Sequence, residues 1–420
     1  MEQLEVMNFL NEVATKFSDA ISLASGRPNP KYLGYENWGT YQSVFESYFA
    51  QQTQYDVANV KSLLYQYGPS AGIINEILKQ YLAKDEAIDT NSNNIIVTNG
   101  CQEALTLICL HELQHDHECI LTLDPAYIGL SGLLTAIGKR VEPIDIRPII
   151  QQVEGKEPSF DWSYLRDRVT EIRAQGLVPK AIYVNPDFNN PLAYRLSRED
   201  RLSLLTVCDE IGLKVIEDDP YSRFDYSGSF IESLCALDTN DIVYHIGSFS
   251  KTLCPGLRMG YLVMPEKQKA ANKALISLKS LVSVNTNPLT QSIVGGYLLS
   301  HNFSLAERME ELNAQYIKQR DAVQRALDTQ FSNLPGVTWN KPEGGFFVVV
   351  NLPFEFNEQD VYTCASETGV ICMPVSFFSL NPEAWQSSVR IAFSNYDPAD
   401  LEEGVRRFGQ YVSNRIIKSQ

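Results

Sequence analysis

Positive charge is scarce in this chain: 35 lysines and arginines stand against 51 aspartates and glutamates, a formal charge of -16 over 420 residues. That surplus repels phosphate backbones and anionic headgroups, so it argues against a nucleic-acid or membrane partner and favours a small molecule. Long apolar runs are missing as well. Nowhere do about 18 uninterrupted apolar residues occur, the length a helix needs to cross a bilayer. The opening MEQLEVMNFLNEVATKF carries acids where an export signal needs positive charge, with its apolar residues at amphipathic-helix spacing. C-x-x-C spacing is absent; the eight cysteines sit scattered in apolar contexts, which speaks for reduced core residues in a cytoplasmic protein and against a disulfide framework. No internal repeat, low-complexity tract or Gly/Ser linker divides the chain.

What is present is an ordinary globular composition, 44% hydrophobic and 20% charged. From about residue 90 to 265, short apolar runs (NIIVTN, CILTL, KAIYVNP, LKVIEDD, DIVYHIGS, RMGYLVMP) alternate with helical stretches. This pattern predicts a mostly parallel sheet covered by helices on both faces. Ser197, followed by acids, is the expected N-cap of the helix SREDRLSLLTVCDEIG. From about residue 303 the texture changes to a long charged helix, Leu305 to Phe331, then short strands around GGFFVVVNL and VRIAFS and a closing helix from about Pro398. The expected division is a large α/β domain over 50–305 and a smaller α+β domain formed by 1–49 and 306–420.

One motif invites a metal. HELQHDHE, from His111, contains H-E-x-x-H, in which two histidines one turn apart hold zinc while the glutamate activates water. Five letters with two free positions need a third ligand and an open cleft, and no downstream residue volunteers. His111 and His115 read instead as residues near a helix C-terminus, where imidazolium suits the dipole, and no metal is expected.

In open α/β sheets, ligands bind beyond the carboxyl ends of the strands. Asn99-Gly100-Cys101-Gln102 follows one such strand at a helix start, where free N–H groups suit a phosphate, although Gly at such a place is also ordinary turn chemistry. VIEDDPYSRF ends a buried strand in three acids and a tyrosine, which is costly unless they face a cleft or a cation, or cap a turn. IGSFSKTLCPGLRMGYL packs Ser248, Ser250, Lys251 and Arg258 between two apolar strands. A lysine so enclosed has its neutral amine favoured, the form that builds a Schiff base.

SFSKTLCPGLRMGYL resembles the pyridoxal-phosphate lysine motif of fold-type I aminotransferases, class I/II, and other segments agree in order. NGCQEAL is similar to the family's phosphate-binding turn, DPAY its ring-stacking segment, YVNPDFNNP its Asn-Pro motif and EDDPY its pyridine-binding acid. PEGGFFVVV and VRIAFSNYDPADLEEGVRRF resemble its carboxyl-terminal domain, and ISLASGRPNP with YGPSAG looks most like the α-aminoadipate and kynurenine aminotransferase subgroup.

The resemblance spans about Ser22 to Phe408 and implies roles for particular residues. Lys251 would carry the cofactor as an aldimine and then move the α-proton. Asp218 would keep the pyridine nitrogen protonated, Asn190 and Tyr221 would hydrogen-bond the ring oxygen, and Tyr127 would stack on the ring. Ser248, Ser250, Arg258, Gln102, Gly100 and Cys101 would form the phosphate cup. Arg390 would grip the substrate α-carboxylate, a task for which lysine is a poor substitute. Gly26 and Arg27 would lie at the substrate pocket, with Arg27 either reading an acidic side chain or standing as a solvated loop residue. Tyr67 would reach the neighbouring subunit's cofactor, implying a homodimer. Cys101 where a serine or threonine is common, Leu192-Ala193 in place of Thr-Gly, and Val375 in place of Gly depart from the pattern.

The expected reaction moves the amino group of an α-amino acid to a 2-oxo acid such as 2-oxoglutarate. The rival is an oxidase, hydroxylase, decarboxylase or cyclase working from the same scaffold. A cofactor-sensing transcription regulator is disfavoured by the charge and by a fold expected to begin near residue 20.

Overall fold

The computed structural model describes residues 6–33, 37–151 and 158–419, so the first five residues of the amphipathic opening lie outside the described residues. Seven strands build the main sheet: β1 Ile95–Thr98, β2 Glu118–Asp124, β3 Arg140–Asp145, β4 Val178–Val184, β5 Lys214–Asp219, β6 Val243–Ser248 and β7 Gly260–Val263. Their spatial order is β1-β7-β6-β5-β4-β2-β3. Every pairing is parallel except those of β7, which runs antiparallel to β1 and β6. The central strands are apolar on both faces because helices cover both, and two core clusters flank the sheet accordingly.

The helix Cys101–Glu112, α1, follows β1 directly; its N-cap is Gly100 at φ 91°, with no side chain capping the first N–H groups. The helix Arg198–Glu210, α2, opens with the predicted Ser197, which exchanges hydrogen bonds with Asp200 as a complete capping box. The long helix Ala306–Phe331, α3, matches its expected span. Met309, Leu312 and Tyr316 in its first half pack with the core beside the main sheet, while Val323, Leu327 and Phe331 in its second half belong to the core of the carboxyl-terminal part.

Four antiparallel strands complete that part: β8 Thr338–Trp339, β9 Phe347–Asn351, β10 Met373–Pro374 and β11 Ser388–Ala392, ordered β8-β9-β11-β10. The closing helix runs over Pro398–Ser419. The amino-terminal segment joins it: Ile21 and Ser22 pair in parallel with Val370 and Ile371. No helix among the described residues is long and apolar enough to cross a membrane.

Candidate active site

Two adjoining cavities open at the carboxyl edge of the sheet. The deeper, about 180 Å³, is lined by Cys101, Gln102, Tyr127, Asn190, Asp218, Tyr221, Ser248, Ser250, Lys251 and Arg258, together with Tyr183, Asn185 and Pro220. The outer, about 410 Å³, shares Tyr127, Asn190, Tyr221 and Lys251 with it and adds Gly26, Arg27 and Arg390 among its walls. Of the residues singled out in the sequence, Gly100 and Tyr67 stand apart. Gly100 lies beside Arg258, where a Cβ would sit 3.1 Å from the guanidinium Nη2, and its φ of 91° is a conformation that glycine adopts without strain. Tyr67 lies on the surface, 84% exposed, outside this chain's own cleft.

Lys251 sits three residues past β6 and donates from Nζ to the Gly26 carbonyl at 3.0 Å. Burial, joined by the positive charges of Arg390, Arg258 and Arg27, lowers its pKa to about 8, so a substantial fraction of the amine is neutral near physiological pH. Asp218, near the end of β5, is pushed the other way: burial raises its pKa, opposed by bonds from Tyr183 and Cys101. The Tyr183 hydroxyl donates to Oδ2 at 2.5 Å, while Oδ1 is buried with no partner among the described residues. A buried, half-satisfied carboxylate facing a cavity is costly unless a donor completes it.

Arg390, on β11, is 5% exposed. Its Nη1 donates to Asn190 Oδ1 at 2.5 Å and its Nη2 to the Ala24 carbonyl, while Nε has no partner among the described residues. The guanidinium lies 4.3 Å from the Phe347 ring centroid and 4.6 Å from that of Phe378. Burial among these neutral groups lowers its pKa to about 10. A cation held by rings and neutral oxygens is poised for an anionic ligand.

At the other end of the cleft, Arg258 Nη2 donates to the Asn99 carbonyl at 3.0 Å, and the uncapped start of α1 adds free N–H groups. Gln102 is partly committed, since its Nε2 donates to the Gly129 carbonyl at 2.9 Å. The Cys101 thiol is turned toward Asp218 and Ser248, and its pKa is driven well up by burial and by the Asp218 charge. Arg27 is exposed and donates from Nε to Ser25 Oγ at 2.8 Å. Ala193, where the resembled pattern has glycine, adopts φ 60°, the left-handed region that glycine takes at no steric cost. Tyr183, Phe347 and Phe378 were missed from sequence because aromatics in buried strands and short helical turns read as core.

The donors and acceptors suit pyridoxal phosphate: a cationic cup at a helix start for its phosphate, an unsatisfied buried carboxylate for its ring nitrogen, and an amine of lowered pKa for its aldehyde. The H-E-x-x-H segment does not suit zinc. α1 ends at Glu112, so His115 is not one helical turn from His111, and Glu112 already accepts from Tyr244 at 2.6 Å and Lys214 at 2.8 Å. Burial also lowers the pKa of His111, which corrects the expectation of an imidazolium at the helix end.

An α/β protein that gathers a buried amine, a half-satisfied acid and a guanidinium free of carboxylates around one cleft is built as an enzyme for small anionic substrates. The family model described as aminotransferase class I and II matches residues 39–408, and the chain belongs to that family. It is an aminotransferase of a pyridoxal-phosphate-dependent class. An (S)-3,5-dihydroxyphenylglycine transaminase from Amycolatopsis orientalis is 31% identical over 415 residues, covering 98% of this chain and 92% of its own length. Aromatic-amino-acid aminotransferase 1 from Thermococcus litoralis is 27% identical over 426 residues, covering 100% and 93%. The crystal structure of Pyrococcus horikoshii kynurenine aminotransferase superposes with a TM-score of 0.81 at 28% identity, covering 99% of this chain and 96% of that one. The fold is thus that of the fold-type I aminotransferases.

Proposed function

We propose that the two cavities form one pyridoxal-phosphate and amino-acid site, and that the carboxylate-free Arg390 facing Lys251 across it is the observation that carries this reading. The cofactor, when bound, supplies an aldehyde that accepts the amino group and a protonated ring that draws electrons from the substrate's α-carbon. Lys251 forms the covalent link through its neutral amine and, once released, removes and returns the α-proton. Asp218 keeps the ring nitrogen protonated, Tyr127 packs on the ring, and Asn190 and Tyr221 donate to the ring oxygen. Arg258, Ser248, Ser250, Gln102 and the backbone at Gly100 and Cys101 hold the phosphate. Arg390 takes both oxygens of the substrate α-carboxylate.

Ile128, Phe347, Ile371, Met373 and Phe378 line the outer cavity, which suits an amino acid with a sizeable apolar or aromatic side chain. The names of the Amycolatopsis and Thermococcus relatives support that class of donor. The acceptor is 2-oxoglutarate, with Arg27 at the mouth reading its distal carboxylate and Gly26 forming the wall beside Lys251. The site lies between a large domain of 50–305 and a small one of 1–49 and 306–420; the long helix shared by both cores supports a boundary there. A second copy of the chain supplies Tyr67, giving a homodimer, and the eight unpaired cysteines support a cytoplasmic setting.

The test is the visible spectrum of the yellow holoenzyme without oxygen. Bleaching by an aromatic amino acid or glutamate, reversed by 2-oxoglutarate, is expected. A band that ignores 2-oxoglutarate, with carbon dioxide release on adding amino acid or oxygen uptake once air is admitted, overturns amino transfer in favour of an oxidative or decarboxylating use of the same site.

A further inference from the structure

The two oxygens of Asp218 are treated differently, and the difference comes from the neighbouring strand. Tyr183 on β4 pairs with Ile216 of β5, and its hydroxyl spans the two-residue step to Asp218 Oδ2. Asn185, two residues on, donates from Nδ2 to the Asp218 carbonyl at 2.6 Å and fixes the main chain. Tyr183 is 2% exposed, so water does not replace its bond. Burial and the Asp218 charge keep the phenol protonated far above its usual range, which makes it a permanent donor.

The groups acting on the carboxylate come from several elements: Tyr183 on β4, Cys101 at the start of α1, Tyr127, Tyr221 and His245 on β6. Among them, Tyr183 makes the short hydrogen bond. We propose that Tyr183 is a positioning residue for the reaction: its phenol binds Oδ2 and so presents Oδ1 to the cofactor's ring nitrogen as an ionised acceptor. A carboxyl that had taken up a proton would no longer hold one on the ring, and the ring would draw electrons poorly. The inference rests on the reading of Asp218 given above.

The test is cofactor retention by the holoenzyme, measured by equilibrium dialysis from pH 6 to pH 9, for wild type, Tyr183→Phe and Asp218→Ala. Losing a charge-assisted donor pushes the Asp218 carboxyl further toward its protonated form, so the phenylalanine variant should bind the cofactor about ten- to a hundredfold more weakly at low pH. The deficit should shrink as pH rises and the carboxyl ionises. Taking the ratio to wild type cancels the titration of Lys251 and of the cofactor phosphate. A ratio of one, or one that does not change with pH, overturns the role of Tyr183. Asp218→Ala binding as tightly as wild type at every pH overturns the Asp218 reading itself. A large loss in Asp218→Ala beside a pH-independent Tyr183→Phe ratio overturns only the positioning role. If Tyr183→Phe does not fold, Tyr183→Leu, which also lacks the hydroxyl, carries the same expectation and the same refutation.

Discussion

Replacing Arg390 by lysine keeps a positive charge and removes the fork. The guanidinium holds Asn190 Oδ1 with one nitrogen and the Ala24 carbonyl with another while lying between two phenylalanine rings. A single ammonium cannot keep those contacts and also meet both oxygens of a carboxylate. Loss of one charge-assisted hydrogen bond costs about 1.5–3 kcal/mol, which is about ten- to a hundredfold in kcat/KM. The burial adds a pH signature. It lowers the arginine pKa to about 10. The same burial acting on a lysine, whose ordinary pKa is about 10.4 and thus already below that of arginine, lowers it to below the arginine's. The cation is the working form, so the ratio of Arg390→Lys to wild type should be flat at low pH and fall as pH rises, because the lysine loses its proton before the arginine does. The assay is kcat/KM for the best amino donor, both proteins side by side from pH 6.5 to 9.5; Lys251 titrates in both and cancels. A loss below about threefold refutes the carboxylate grip, and a ratio that ignores pH refutes the argument from burial.

Two further outcomes follow from the same site. With Lys251 at about 8, the rate at which apoprotein takes up pyridoxal phosphate should rise with pH below that value and level above it, because the neutral amine is the nucleophile; stopped-flow absorbance checks this, and Lys251→Ala should form no covalent adduct. Mixing inactive Lys251→Ala with Tyr67→Ala and allowing subunit exchange should restore activity, since one site of each mixed dimer then has both native residues; no recovery despite demonstrated exchange argues against a shared site.

Six strands of the main sheet were legible because each is a buried apolar run. The seventh, β3, escaped notice: Arg140–Asp145 lies at the sheet edge, is largely half-exposed, and carries two acids, an arginine and a proline, a composition that an edge tolerates and a central strand does not. Lys251, Asp218 and Arg390 were legible because charge beside an apolar run needs a reason. Tyr183 gave no such signal, since its hydroxyl is one polar atom on a side chain otherwise at home in a core. Cys101 was placed in the phosphate cup, and only the packing of α1 against the sheet brings its thiol toward Asp218 and Ser248.

The bond from Arg390 to the Ala24 carbonyl joins residues 366 positions apart, and the parallel pairing of Ile21 with Val370 closes the same circuit. During synthesis the early residues therefore emerge long before their partners exist. The central sheet can form while the chain is still being made, but the amino-terminal segment must wait, with Leu23 and Val13 uncovered, until the strands carrying Val370 and Arg390 have been made. Catalytic competence consequently waits on those late strands, and a ribosome that stalls after residue 300 leaves a sheet without a working cleft.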